Sequence, residues 1–171
     1  MTFLIQQTLI YAVPLMIVAL AGVFAERSGI INLALEGIMI FGAFAGVLFV
    51  NVTQKAGIFS EAKAAGDWVA LQGFMLLAML VAAILGAVFS LLLSFASVNL
   101  KADQTIGGTA LNLLATAIAV VIAKYFSDSG SAKLNYSNKP FLFSIGGLEL
   151  SVFVPLGIIL LIISYVVLYK T

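Results

Sequence analysis

The sequence predicts an all-α fold, a polytopic transmembrane helix bundle of about five spans, and two observations carry this prediction. Apolar residues make up 63% of the 171 residues and charged residues only 9%, whereas about a quarter of the residues of a soluble domain are charged. The apolar residues also form long uninterrupted runs, so they match a lipid solvent. We therefore expect residues 1–171 to form a single transmembrane domain.

Five apolar segments supply the predicted spans. They are Phe3 to Phe24, Ile30 to Val50, Val69 to Ala96, Gln104 to Ala123 and Leu150 to Tyr169. Only the second contains a charged residue, Glu36. Each segment is long enough to cross about 30 Å of hydrocarbon at a rise of about 1.5 Å per residue. Helices are expected because they satisfy their own backbone groups where no water is available.

The connections between the spans alternate in length. Those at 25–29 and 97–103 are short, whereas those at 51–68 and 127–149 are long and polar, which places both long loops on one side. Basic residues in or beside the long loops are Lys55, Lys63, Lys124, Lys133 and Lys139, and those on the other side are Arg27, Lys101 and Lys170. This count favours long loops in the cytoplasm.

Several kinds of chemistry are excluded by composition. The chain has no Cys and no His, so disulfides, thiolate nucleophiles, imidazole bases and the usual zinc and haem ligand sets are absent. A net charge of +1 without a basic patch argues against nucleic acid as a partner. The segment Gly130 to Lys133 lacks the spacing of a phosphate-binding loop. We expect no catalytic residue, no metal and no cofactor in this chain.

A first polar cluster begins the second predicted span. If the helix starts at the short loop, Gly29, Asn32 and Glu36 share one face. A carboxylate at that depth costs a few kcal/mol unless it is paired, protonated or beside a wet cavity. Asn32 and Glu36 are therefore candidates for the lining of a solute pathway. The alternative is an interhelical hydrogen bond or ion pair that fixes packing.

A second polar cluster begins the fourth span, where Thr105, Gly108, Thr109, Asn112 and Thr116 share one helix face. This uncharged stripe suits a neutral, hydroxyl-rich solute, and Thr109 and Asn112 are its candidate pathway residues. In the alternative interpretation, the threonines bond to their own helix and Asn112 joins two helices. The adjacent glycines Gly107 and Gly108 also offer a place for the helix to break.

Small residues recur every four positions along the third span, and they predict close helix packing. They are Ala78, Ala82, Gly86, Ser90 and Ser94. Gly42 and Gly46 form a similar pair in the second span. Such ridges let a neighbouring backbone approach closely, so we assign Ala82, Gly86, Gly42 and Gly46 to helix packing rather than to substrate.

Two segments carry a family resemblance. The first is ERSGIINLALEGIMIFGAF, from Glu26 to Phe44, and the second is ADQTIGGTALNLLA, from Ala102 to Ala115. In this order and spacing they resemble the two signatures of the nucleoside and simple-sugar ABC transporter permeases. These are binding-protein-dependent inner-membrane components related to those for ribose and branched-chain amino acids. The resemblance covers nearly the whole chain.

The resemblance implies a non-catalytic permease subunit in the cell membrane. Its implied partners are an ABC ATPase subunit, a second permease subunit and an extracytoplasmic substrate-binding lipoprotein. Family members continue into a cytoplasmic coupling loop, so the resemblance implies that the chain is the amino-terminal portion of a longer permease. It also implies long loops outside the cell, against the lysine count.

Three functions remain open on the sequence. The first is the permease of an ABC importer for nucleosides or related simple sugars, with its pathway at Asn32, Glu36, Thr109 and Asn112. The second is an ion-coupled secondary transporter in which Glu36 carries the ion. The third is a scaffold subunit that binds no solute.

Overall fold

The computed structural model describes residues 2–29, 31–58, 67–127, 130–137, 142–145, 148–150 and 152–170. The described helices and strands, in chain order, are α1 (Thr2–Arg27), α2 (Leu35–Lys55), α3 (Trp68–Val98), α4 (Gln104–Phe126), β1 (Phe143–Ile145), β2 (Leu148–Leu150) and α5 (Phe153–Lys170). Among the described residues, four helices are long and apolar enough to cross a membrane, and the apolar α5 is shorter. The predicted fold class, a polytopic helix bundle of about five spans, is confirmed.

A short hairpin lies within the second long loop and was not predicted. Strands β1 and β2 pair in antiparallel fashion, with Phe143 opposite Leu150 and Ile145 opposite Leu148. The fifth helix begins at Phe153 rather than at Leu150 because Leu150 belongs to β2. The hairpin packs against α1, so this part of the loop is held to the helices.

The start of α2 corrects the first polar cluster. We expected a helix from Ile30 with Gly29, Asn32 and Glu36 on one face, but α2 begins at Leu35 and residues 31–34 are not helical. Gly29 has φ of +82°, a backbone conformation that ends helices. The Oδ1 atom of Asn32 accepts a hydrogen bond of 3.1 Å from the backbone N–H of Ala34, which competes with helical bonding. The expected shared face is therefore wrong.

The core of the bundle lies where α2 packs against both α3 and α4. Its buried residues are Ala34, Phe89, Leu93, Leu111 and Ala115. The rings of Phe41 and Phe89 stack across α2 and α3 with centroids 4.5 Å apart, a geometry that stabilises aromatic pairs beyond their buried area. Because Ala34 belongs to this core, the non-helical chain before α2 is packed inside the bundle.

Small residues meet where α2 crosses α3. A Cβ atom added to Gly42 would lie 3.2 Å from the carbonyl oxygen of Ala82 and 3.8 Å from Cα of Gly86. A Cβ added to Gly46 would lie 3.2 Å from Cβ of Ala82. The two backbones are thus closer than larger side chains would permit.

Helices α1 and α5 form a second packed pair. The Nη1 atom of Arg27, at the end of α1, donates a 3.1 Å hydrogen bond to the carbonyl oxygen of Leu168, near the end of α5. Gly157 lies against the side chain of Val13. Because the carboxyl-terminal ends of both helices meet, α1 and α5 run in the same direction.

Candidate functional site

The chain before α2 lies along the first turns of α4. We call residues 31–34 the entry segment. The backbone N–H of Ile31 donates to Oε1 of Gln104 at 3.1 Å, and the N–H of Gly37 donates to Oδ1 of Asn112 at 2.7 Å. Eight residues of helix separate Gln104 from Asn112, a rise of about 12 Å. The entry segment therefore enters the apolar bundle as non-helical backbone.

Asn112 bonds to the backbone on both sides of the start of α2. Its Oδ1 accepts from the N–H of Gly37 at 2.7 Å, and its Nδ2 donates to the carbonyl oxygen of Leu33 at 2.9 Å. Gly37 is the third residue of α2, so its N–H has no partner within the helix. Non-helical backbone at membrane depth is tolerated only where the protein or water satisfies its polar groups, and Asn112 satisfies two of them.

Two glycines allow this close contact. A Cβ atom added to Gly37 would lie 2.7 Å from Oδ1 and 2.9 Å from Cα of Asn112. A Cβ added to Gly108 would lie 2.9 Å from Cβ of Leu33 and 3.1 Å from the nitrogen of Ala34. Gly108 does not break α4, which is continuous from Gln104 to Phe126. Its missing side chain makes room for the entry segment.

The two candidates of the first cluster, Asn32 and Glu36, each directly precede a residue that Asn112 contacts. Asn32 is half-buried, and its side chain stabilises the turn of the entry segment through Ala34. Glu36 lies in the first turn of α2 and is exposed. The partial positive charge of a helix amino terminus favours a carboxylate at this position.

Thr109 and Thr116 of the second cluster are exposed and bond to their own helix. The hydroxyl of Thr109 donates to the carbonyl oxygen of Thr105 or Ile106, each at 3.0 Å, and the hydroxyl of Thr116 donates to that of Asn112 at 3.0 Å. Their hydroxyl oxygens keep acceptor capacity. This face of α4 can therefore offer acceptors to a solute.

Asp103 caps α4 at its amino terminus. Its Oδ1 atom accepts hydrogen bonds from the N–H groups of Thr105 at 2.8 Å and Ile106 at 3.1 Å. The bond from Ile106, followed by that from Thr105, holds the pKa of the Asp103 carboxyl below its ordinary value. The cap fixes where α4 begins, and so where Gln104 and Asn112 lie beside the entry segment.

A second set of side-chain contacts lies at the other end of α2. The Nδ2 atom of Asn51 donates to the carbonyl oxygen of Asn135 at 2.7 Å, and Lys55 Nζ donates to that of Phe126 at 3.1 Å. Gln54 both donates to and accepts from the backbone of Ser137, each at 2.9 Å. Both long loops therefore begin at the same end of the bundle, as their alternation predicted.

Sequence reasoning did not select Gln104, Asn51 or Gln54. Each is an amide at or near the end of an apolar helix, and Asn51 lies one residue beyond the predicted second span, so hydropathy gave no reason to select it. Their partners are backbone groups 73 to 84 residues away in sequence, which no local pattern indicates.

Comparison with known proteins identifies the family to which the chain belongs. Residues 4–171 match the model of the branched-chain amino acid transport system / permease component family. The chain is 38% identical to the nucleoside ABC transporter permease protein NupC of Lactococcus lactis over 98% of its own length and 52% of that protein. It is 39% identical to the guanosine ABC transporter permease protein NupQ of Bacillus subtilis over 82% of its length and 40% of that protein.

The chain thus spans about half the length of the curated relatives it matches. No solved structure matches it significantly. The match over nearly all of the chain, together with the apolar helices, confirms the resemblance and the expected multi-pass membrane location. The chain belongs to the family of binding-protein-dependent ABC transporter permeases that includes the nucleoside permeases.

Proposed function

We propose that the chain forms part of the permease subunit of an ABC importer for nucleosides or related simple sugars. The observation that carries this proposal is the 38% identity to a nucleoside permease over 98% of the chain. A second relative, named for guanosine, is 39% identical. The exposed hydroxyls of α4 support the same substrate class because they can accept hydrogen bonds from sugar hydroxyls.

The translocation pathway, in this proposal, runs beside the entry segment. Glu36, in the first turn of α2, and Thr109, on α4, are both exposed, and a carboxylate facing lipid would cost about 2.5–3.5 kcal/mol at the centre of a span. Water or another part of the transporter must therefore cover Glu36. Asn32 and Asn112 line the same place and hold the entry segment in position through Ala34, Leu33 and Gly37.

Helix packing is the role proposed for Gly42, Gly46, Ala82 and Gly86. The contacts of Gly42 with the carbonyl oxygen of Ala82 support it, because a backbone atom cannot rotate away from an added side chain. In this role these residues keep α2 and α3 together while the solute passes along α2 and α4.

The partners proposed for the permease follow from its family. An ABC ATPase supplies the energy, so the chain itself needs no catalytic group. A second permease subunit completes the pathway, and an extracytoplasmic lipoprotein delivers the solute. We place the carboxyl-terminal ends of α1 and α5 on the cytoplasmic side and the long loops outside the cell, as the family resemblance implies.

Uptake of a radiolabelled nucleoside tests the proposal. Cells that make the transporter containing this chain should take up guanosine, and a mutation of the Walker lysine in the partner ATPase should abolish that uptake. Excess unlabelled ribose should compete weakly. Uptake that survives the Walker mutation but is lost with an ionophore would instead identify an ion-coupled carrier, and an absence of uptake of any nucleoside would contradict the proposed substrate.

A further inference from the structure

The entry segment is non-helical although its sequence favours a helix. Leu33, Ala34 and Leu35 are among the strongest helix formers, and residues 31–34 include neither glycine nor proline. The backbone of Ala34 has φ of −81° and ψ of 1°, about 40° in ψ from an α-helix. When local preference and tertiary structure disagree, the segment is usually a functional or strained site.

The amide of Asn112 takes the place of one backbone hydrogen bond of α2. In an α-helix each N–H donates to the carbonyl oxygen four residues earlier, and the N–H of Ile38 donates in this way to Ala34 at 2.9 Å. The preceding bond of the same ladder would join the N–H of Gly37 to the carbonyl oxygen of Leu33. These two groups bond instead to Oδ1 and Nδ2 of Asn112, at 2.7 and 2.9 Å. A side chain inserted into the ladder is a known cause of a helix break.

A continuous helix would satisfy a similar number of hydrogen bonds. Four side-chain bonds hold the break in the structure: two from Asn112, one between Gln104 and Ile31, and one between Asn32 and Ala34. A helix that began at residue 31 would exchange them for three backbone bonds, from residues 35, 36 and 37 to residues 31, 32 and 33. Because the numbers are close and the local sequence favours the helix, the contact with α4 decides between the two arrangements.

We propose that α2 alternates between this broken arrangement and a helix that begins at Ile31, and that Asn112 controls the change. In the helical arrangement the N–H of Gly37 bonds directly to Leu33, and the entry segment leaves the first turns of α4. The space beside Gly108 then opens, because Cβ of Leu33 now lies 2.9 Å from the position of an added Cβ atom there. The alternation itself is independent of the substrate, whereas its role in opening the pathway rests on the proposed function.

An engineered metal site tests for the helical arrangement. Two histidines four residues apart on one face of a helix bind Zn²⁺, and the chain has no His or Cys of its own. The double variant Ile31→His, Leu35→His places such a pair across the break, so the pair binds Zn²⁺ tightly only when residues 31–35 are helical. The matched control is Met39→His, Ala43→His, because both of these positions are exposed within α2.

The Zn²⁺ affinity of each pair would be measured by calorimetry on the whole purified transporter, with and without Asn112→Ala, after subtraction of the Zn²⁺ bound by the unmodified transporter. A site that exists in only one arrangement has an apparent affinity reduced by the fraction of that arrangement. We expect Asn112→Ala to raise the affinity of the pair at 31 and 35 about tenfold, the effect of losing two neutral hydrogen bonds. The control pair should keep its affinity, which also shows that α2 is folded. An affinity at 31 and 35 that is unchanged or lower in Asn112→Ala would overturn the proposal.

Uptake by the same variants tests whether the alternation belongs to transport. Saturating Zn²⁺ should lower guanosine uptake by the variant with the pair at 31 and 35 at least about tenfold, because the metal fixes one arrangement, and EDTA should restore it. The control pair should retain its uptake with Zn²⁺ bound. Undiminished uptake with Zn²⁺ bound at 31 and 35 would refute the role in transport. If the unmodified transporter takes up no nucleoside, the proposed function fails, while the Zn²⁺ affinities still show whether α2 has one arrangement or two.

Discussion

Replacing Gly108 by alanine should separate α4 from the entry segment. The added Cβ atom would lie 2.9 Å from Cβ of Leu33 and 3.1 Å from the nitrogen of Ala34. Both atoms belong to or adjoin the backbone, so neither can be relieved by rotating a side chain. The entry segment must shift, and a shift lengthens the hydrogen bond from Asn112 to the carbonyl oxygen of Leu33.

The magnitude follows from three terms. Alanine in place of glycine favours a helix by about 1 kcal/mol. Overpacking a close contact costs about 1–3 kcal/mol, and a backbone group left without its partner costs about 1–3 kcal/mol. The variant should therefore be destabilised by about 1–5 kcal/mol, depending on how far the entry segment moves.

The matched control is Gly73→Ala. Gly73 lies in α3, and an added Cβ would meet nothing within 4 Å. This variant has the same change in helix propensity without the contact. Both proteins would be purified in the same detergent, and thermal unfolding would be followed by the loss of helical circular dichroism.

We expect Gly108→Ala to unfold at a lower temperature than the unmodified protein, and Gly73→Ala to unfold at the same or a higher temperature. Equal midpoints for the two variants would refute the reasoning, because they would show that the space beside Gly108 is not occupied by the entry segment.

Three further predictions concern other contacts. Asn112→Ala leaves the N–H of Gly37 and the carbonyl oxygen of Leu33 without their partner. Uptake should therefore fall at least about tenfold, as expected for about 1.4 kcal/mol or more, while immunoblots show little change in the amount of protein in the membrane. The opposite pattern would assign Asn112 to packing alone. Ala82→Leu should lower the membrane level instead, because it overpacks the contact with Gly46; normal levels would contradict the assigned crossing. Because the folded-state pKa of Asp103 lies below its ordinary value of 3.8, its cap stabilises the protein above that pH and loses its effect as the pH falls through the folded-state pKa. Unfolding midpoints of Asp103→Asn should therefore depend less on pH in that acidic range, and an unchanged pH dependence would count against the cap.

The spans were predictable because hydropathy alone determines them. The interval from Val69 to Ala96 lies inside α3, and the interval from Gln104 to Ala123 lies inside α4. The starts of α2 and α5 were not predictable, because they depend on hydrogen bonds rather than on apolar content. Asn32 bonds to the N–H of Ala34 and stops a helix that the apolar run would otherwise favour.

The candidate site was predictable in composition but not in arrangement. The sequence singled out Asn32, Glu36, Thr109 and Asn112 by the helix faces they were expected to share and by the family resemblance of the segments that contain them. It did not indicate which groups Asn112 would contact. Both amide atoms of Asn112 bond to the backbone of residues 33 and 37. That contact depends on a close approach at Gly108 between chain segments about 75 residues apart.

The two interpretations of Asn112, pathway lining and interhelical contact, are compatible in this geometry. Non-helical backbone inside an apolar bundle needs hydrogen-bond partners, and α4 supplies them with the neutral amides of Gln104 and Asn112. A lysine in their place would satisfy only acceptors and a carboxylate only donors, and either would add a charge that the membrane penalises. An amide satisfies both kinds of group, so Asn112 can hold the entry segment through Leu33 and Gly37 without adding a charge beside Glu36.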